Sequence, residues 1–176
     1  MEVESLPGVS YSNSQKHTDL RGLFQKSYQS KLHNDEEFRV QEVFFSISHA
    51  GVIRGMHLQT HDYANRKIVI VQKGVIVDVV LDLRPDSKTY LCFSKQVLRS
   101  EGLSTVLIPE GVAHGFQALE DAWTLYLSTA AHSPTHDTGI DALSFGFNWP
   151  MSPGIRSDRD ASLKSLSQWK LNARYQ

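Results

Sequence analysis

The sequence has one cysteine, Cys92. A lone thiol cannot close an intramolecular disulfide, and it cannot build a zinc site from cysteines. Cys92 sits in the apolar stretch Tyr90 to Phe93, which reads as a buried structural thiol and not a nucleophile. Long hydrophobic runs are also lacking, and none approaches the roughly 20 residues that span a bilayer. The opening residues, MEVESLPGVSYS, have neither a basic start nor an apolar core of signal-peptide length. No charge of one sign prevails: 18 Lys and Arg stand against 19 Asp and Glu, for a net charge of -1. Such a balance leaves no electrostatic footprint for nucleic acid or an anionic membrane, so an anionic ligand would need a local cluster of Arg and Lys. Repeats, low-complexity tracts and linkers are missing too. From these absences the expectation is a single cytoplasmic domain over residues 1–176.

What remains is a series of short strands separated by turn residues, the all-β pattern. Val40 to Ser48 is β-branched and aromatic, and Ile68 to Gln72 is an apolar run closed by Lys73-Gly74. Val75 to Leu83 is the strongest strand, its apolar run broken by two aspartates. Arg84 to Lys88 has turn composition. Further strands are expected over Tyr90 to Leu98, Ser104 to Ile108, Gly115 to Leu119 and Trp123 to Thr129. Spacings of about ten residues predict a closed barrel or sandwich and exclude alternating βαβ units. Only the tail, Asp160 to Ala173, has a helical look.

Three segments combine Gly, His and charge where a plain strand would not. In Gly51 to Gln59, two glycines flank Arg54 and precede His57, letting backbone approach a ligand while both side chains reach it. In Ile108 to Phe116, a rigid turn delivers His114 into a strand. Ser157 to Asp160 is acidic and late. Lys67 opens an apolar strand and Tyr126 lies within another. Taken singly each has a bland reading: His57 a structural histidine, Lys67 a solvated strand end, Tyr126 barrel lining, Asp160 a helix N-cap. His17, His33, His49 and His136 carry no supporting pattern and are expected at the surface.

In order along the chain, these segments and others form a set. They are Asp19 to Phe24 (D-x-R-G-x-F), R-G-x-H at Arg54 to His57, Lys67 with its strand, and D-V-x-x-D-x-R at Asp78 to Arg84. IPEGVAHGF, Gly139-Ile140, Asn148-Trp149-Pro150 and S-x-x-D at Ser157 to Asp160 complete it. The set resembles the dTDP-4-dehydrorhamnose 3,5-epimerase family over nearly the whole length. The resemblance implies a cupin-like β-barrel (jelly roll) with a short C-terminal helical segment. It also implies a cofactor-independent epimerase of a nucleotide-linked 4-keto-6-deoxy sugar, acting at C3, C5 or both. A hydrogen beside a ketone is too weakly acidic for a free side chain to remove quickly, so such an enzyme supplies a base and stabilises the enolate oxygen. By resemblance, His57 is the base and Asp160 orients it. Lys67 stabilises the C4 oxygen, and Tyr126 returns a proton from the opposite face. Arg54 and His114 shape the sugar and phosphate site. Arg21 meets the pyrophosphate, with Phe24 beside it, from the neighbouring subunit of a homodimer.

Four contact positions depart from the thymidine-linked pattern: Lys26 for Glu, Glu42 for Gln, Phe44 for Asn and His132 for Tyr. These changes alter what a polar site accepts, so the expectation is a substrate other than the thymidine-linked rhamnose precursor. Three rival readings stay open. One is a metal-dependent cupin, for which Pro109-x-Gly111-x-x-His114 fits a motif but no His-x-His supplies the rest. The others are a non-catalytic nucleotide-sugar binder and a ketoisomerase using the same enolate chemistry.

Overall fold

The computed structural model describes residues 1–29, 33, 37–152 and 154–173. Among these, the strands are β1 (Ser10–Asn13), β2 (Lys16–Asp19), β3 (Gly22–Gln25), β4 (Glu42–Ser48), β5 (Ile53–Gln59) and β6 (Lys67–Lys73). They continue as β7 (Val75–Asp82), β8 (Phe93–Arg99), β9 (Ser104–Ile108), β10 (Val112–Ala118), β11 (Ala122–Ser128) and β12 (Asp137–Gly139). The strands pair antiparallel in two five-stranded sheets, β1-β9-β6-β11-β4 and β12-β5-β10-β7-β8, with β2-β3 as a separate hairpin. Together the two sheets form the cupin-like jelly roll expected from the sequence. Among the described residues no helix is long and apolar enough to cross a membrane.

Period-2 alternation sorts each strand between the barrel interior and its outer faces. Along β7, Ile76 and Val80 join Val69, Val71, Val106, Phe116 and Tyr126 between the sheets. The intervening Val77, Val79 and Leu81 pack outward under the C-terminal segment, against Ile140, Phe145, Phe147 and Trp149. On the other sheet, Ile68, Ile70, Leu107 and Leu127 are covered by Phe38. Strands covered on both faces need apolar residues at nearly every position, which is why β6 reads as a continuous apolar run and β7 as one broken only by its two aspartates. Each fully buried large side chain contributes roughly 1.5–3 kcal/mol.

The aspartates that break β7 are wholly buried, so each needs a partner. Asp82 accepts from Arg84 Nε and Nη2 at 2.8 Å, and from Ser87 Oγ and Thr89 Oγ1 at 2.6 Å. Burial alone would raise its pKa, but these bonds outweigh it and bring it to about 2. The RPDSK turn is thus anchored on a strand carboxylate.

Several expectations need correction. Gly51 to Gln59 contains a full strand, β5, which its glycines disguise. The strand expected from Tyr90 begins at Phe93, after a turn, and Cys92 is only partly buried. The tail is two helices, α1 (Asp158–Ala161) and α2 (Leu166–Ala173), because Lys164 leaves helical geometry to bridge Ile140. Asp160 is not the cap of α1: Ser157 is, its side chain accepting from the Asp160 N–H. His33 is buried, with ring nitrogens 3.2 Å from Ser10 Oγ and 2.8 Å from Thr105 Oγ1. His136 is partly buried and stacks on Tyr63.

Candidate active site

At one end of the barrel the interior positions turn polar, and a cleft opens. Its two lobes, about 340 and 260 Å³, share Phe44, His57 and Lys67. The smaller lobe adds Ser46, Arg54, His114, Phe116 and Tyr126. The larger adds Glu42, Gln59, Asn65, Ser128, His132, Asp137 and Arg159. Strands β4, β5, β6, β10 and β11 each contribute, and a register shift between His114 and Phe116 where β10 pairs with β5 lies within the site, so side chains distant in sequence converge.

His57 and Asp160, 103 residues apart, meet at the cleft. His57 Nε2 lies 2.7 Å from Asp160 Oδ1, and the Gly55 N–H donates to Asp160 Oδ2 at 3.2 Å. Burial alone would raise the Asp160 pKa. The hydrogen bond and charge of His57, the Gly55 N–H and Arg159 together outweigh it and hold the carboxyl below its usual range. Asp160 is nearly buried, whereas a quarter of the His57 side chain remains open to the cleft. Gly55 makes the approach possible: with φ +123°, a Cβ there would strike the backbone of His114 and Gly115 on β10.

A second acid–imidazole pair lies deeper, His114 Nε2 to Asp78 Oδ2 at 2.5 Å, both side chains buried. Lys67 opens β6 half-buried; burial pushes its pKa down, partly opposed by Asp137 and reinforced by Arg159. Tyr126 is buried, and burial raises its phenol although hydroxyls of Ser46 and Thr124 and the charge of Arg54 pull the other way. Thr124 Oγ1 donates to the Tyr126 hydroxyl at 3.1 Å. Arg54 reaches out of the smaller lobe, its Nε donating to Ser48 Oγ at 2.8 Å and its Nη2 to the Ile47 carbonyl at 3.0 Å. Among the described residues no group of three or more His, Cys, Asp or Glu side chains is placed to hold a metal ion.

A family model described as dTDP-4-dehydrorhamnose 3,5-epimerase matches residues 4–168. The chain belongs to this family. It is 35% identical over 172 residues to the dTDP-4-dehydrorhamnose 3,5-epimerase of Methanothermobacter thermautotrophicus, covering 93% of this chain and 92% of the relative. Among solved structures, the rmlC epimerase of Mycobacterium tuberculosis superposes with a TM-score of 0.90 at 30% identity, over 98% of this chain and 92% of that one. NovW, a 4-keto-6-deoxy sugar epimerase from the novobiocin biosynthetic gene cluster of Streptomyces spheroides, gives 0.90 at 28% identity, over 98% and 89%. The expectation of a nucleotide-sugar epimerase stands, and neither the metal-dependent nor the non-catalytic reading is favoured.

Measured against the epimerase reading, His57, Asp160, Lys67, Tyr126, Arg54, His114, Glu42, Phe44 and His132 converge on the cleft or its dyad. Arg21, Phe24 and Lys26 do not. The β2-β3 hairpin carries Arg21 and Phe24 around a separate shallow concavity, and Lys26 follows it, exposed. Arg21 is paired with its own neighbour Asp19 at 2.5 Å. Sequence reasoning gave no role to Asp78, Asp137 or Arg159. Asp78 had a signal, an acid inside the most apolar strand, which demands a buried partner. Arg159 lay within the singled-out segment Ser157 to Asp160 but was given no role of its own, and Asp137, paired with it at 2.7 Å, had no signal.

Proposed function

We propose that this epimerase inverts a carbon next to the ketone of a nucleotide-linked 4-keto-6-deoxy sugar, with the proton-transfer groups of the cleft in named roles. What carries the reading is the gathering of the His57–Asp160 pair, Lys67 and Tyr126 around one cavity. His57 faces Asp160 through Nε2, which leaves Nδ1 as the base. It takes the proton, and the C–H electron pair flows into an enolate whose C4 oxygen is met by the Lys67 ammonium. Asp160 stays ionised and favours the imidazolium that results. Tyr126, kept protonated by burial, returns a proton to the opposite face, which inverts the centre.

The test is incubation in D2O with 4-keto-6-deoxy sugars linked to dTDP, CDP and GDP, followed by proton NMR at C3 and C5. Exchange at one or both carbons with at least one substrate is expected. Folded protein that exchanges none of them would overturn the reading. The relatives' names point to dTDP, while Glu42, Phe44, His132 and Lys26 support a sugar other than the rhamnose precursor. Turnover of that precursor at an ordinary enzymatic rate, about 1 s⁻¹ or more, would remove this second part.

A homodimer belongs to the same proposal. Val43, Phe45 and Ile47 of edge strand β4 and Trp123 of β11 lie exposed on one outer face, an apolar patch that asks for a cover. Leu20, Leu23 and Phe24 lie exposed on and beside the hairpin. Docking the hairpin on a second copy would bring Arg21 to the partner's cleft. Sedimentation at micromolar concentration is expected to give a dimer, and Phe45→Asp to weaken it at least tenfold; a monomeric parent protein would refute it. A lone, partly buried Cys92 accords with the reducing cytoplasm, and recovery with membrane-bound or secreted material would count against that location.

A further inference from the structure

We propose that Phe44 is a positioning residue that holds Tyr126 for proton return, so that it decides how often an enolate ends inverted. The inference rests on the reading above, in which His57 and Tyr126 serve opposite faces of the sugar.

The β4–β11 register places Phe44 directly across from Tyr126. Their rings stack with centroids 4.6 Å apart and planes 7° from parallel. The far end of the phenol is fixed as well, by Thr124 Oγ1 at 3.1 Å and Ser46 Oγ at 3.5 Å, and these two hydroxyls lie 2.7 Å from each other. Tyr126 is therefore held flat by one neighbour and at its tip by two. Phe44 itself is 40% exposed, so the core gains little from it. Its placement matters elsewhere: with His57 and Lys67 it borders both lobes of the cleft, where the enolate forms.

An enolate there has two fates. The His57 imidazolium can give back a proton on the face it was taken from. The new C–H bond draws on the enolate electrons, the C4 carbonyl re-forms, and the starting epimer returns, carrying deuterium if the imidazolium has exchanged with D2O. Alternatively the Tyr126 O–H bond breaks and its proton joins carbon on the opposite face. The carbonyl again re-forms, and the centre is inverted. The phenolate left behind regains a proton from solvent, and the imidazolium loses one to it. Only the second fate depends on where the Tyr126 hydroxyl sits. A loosened ring lowers inversion while proton abstraction continues.

The experiment measures deuterium in unconverted substrate against deuterium in inverted product, at initial rates in D2O, using the substrate that the panel identifies. Phe44→Ala is expected to slow both through lost contact with the sugar, but to slow inversion about tenfold further, the upper range of what a stacked aromatic pair contributes. Phe44→Tyr keeps a ring in the stack and is expected to restore the parental ratio. Tyr126→Phe is expected to raise the exchange-to-inversion ratio at least as far, and adding Phe44→Ala to it to change the ratio no more, since the two act as one unit. Phe44→Leu keeps most of the bulk without the ring plane and serves if the alanine variant does not fold. If exchange and inversion fall in parallel in every Phe44 variant, the inference is overturned while the epimerase reading stands. Absence of exchange in the parent protein would instead remove that reading.

Discussion

His57→Ala is expected to lower both deuterium exchange and turnover by roughly 10²–10⁴-fold, the usual contribution of a positioned general base. Asp160→Asn should fall within the same range although its shape is nearly kept. An amide can no longer stabilise the imidazolium, and it can present an N–H where His57 Nε2 needs an acceptor. Asp160 also links activity to acid stability. Its pKa is lower in the folded chain than in the unfolded one, so the stability it contributes is present above the ordinary carboxylate value near 4 and is lost as pH falls through the lowered value. Thermal melts between neutral pH and about pH 3 should therefore show a smaller acid-induced drop in Asp160→Asn than in the parent. Unchanged turnover in either variant would remove His57 and Asp160 from the chemistry.

Lys67→Met tests the other half of the site, and here activity and stability are expected to part. Removing one donor aimed at a developing oxyanion costs about 10²–10³-fold in kcat. Stability should not follow. Burial holds the Lys67 ammonium below its ordinary pKa, which means the unfolded chain binds that proton more tightly than the folded one. Stability contributed by this group consequently rises with pH between the lowered value and the ordinary one near 10.4. A methionine of similar length carries no such desolvation cost, so the variant should melt at the same temperature as the parent or higher at neutral pH. In the parent, kcat should decline on the alkaline side before the ordinary lysine range is reached, as the ammonium is lost; in Lys67→Met that limb should vanish. A melting temperature several degrees lower, with activity largely kept, would make Lys67 a structural cation and end its proposed role.

These two predictions rest on side chains that were visible in the sequence, whereas their geometry was not. Lys67 could be singled out because a cation at the head of an apolar strand is conspicuous, yet nothing local placed it beside His57. β5 escaped notice as a strand because its segment combines Gly, His and charge where a plain strand would have few of them. Gly55 is required for a tertiary reason, the close pass of β10. Asp160 was legible as part of a motif, and the alternative reading of it as a helix N-cap falls because Ser157 already caps α1. His33 looked like surface by default, because no local pattern announces two hydroxyls waiting for a ring in the interior.

What the sequence by itself determined was the material of the barrel. The alternation that sends Ile76 and Val80 inward and Val77 and Val79 outward is a property of consecutive residues, and the order of the motifs was enough to point to the family. What only the tertiary structure decided was which side chains meet. His57 finds Asp160 103 residues away, and His114 finds Asp78 across 36. Phe44 stacks on Tyr126 because one register of β4 on β11 makes them opposite. The same closure leaves Arg21 and Phe24 on a hairpin outside this chain's own cleft. The reason is physical: alternation is set by backbone geometry within a strand, while register and sheet closure are set by the packing of the whole core. A slip of one residue would turn every inward side chain to the other face.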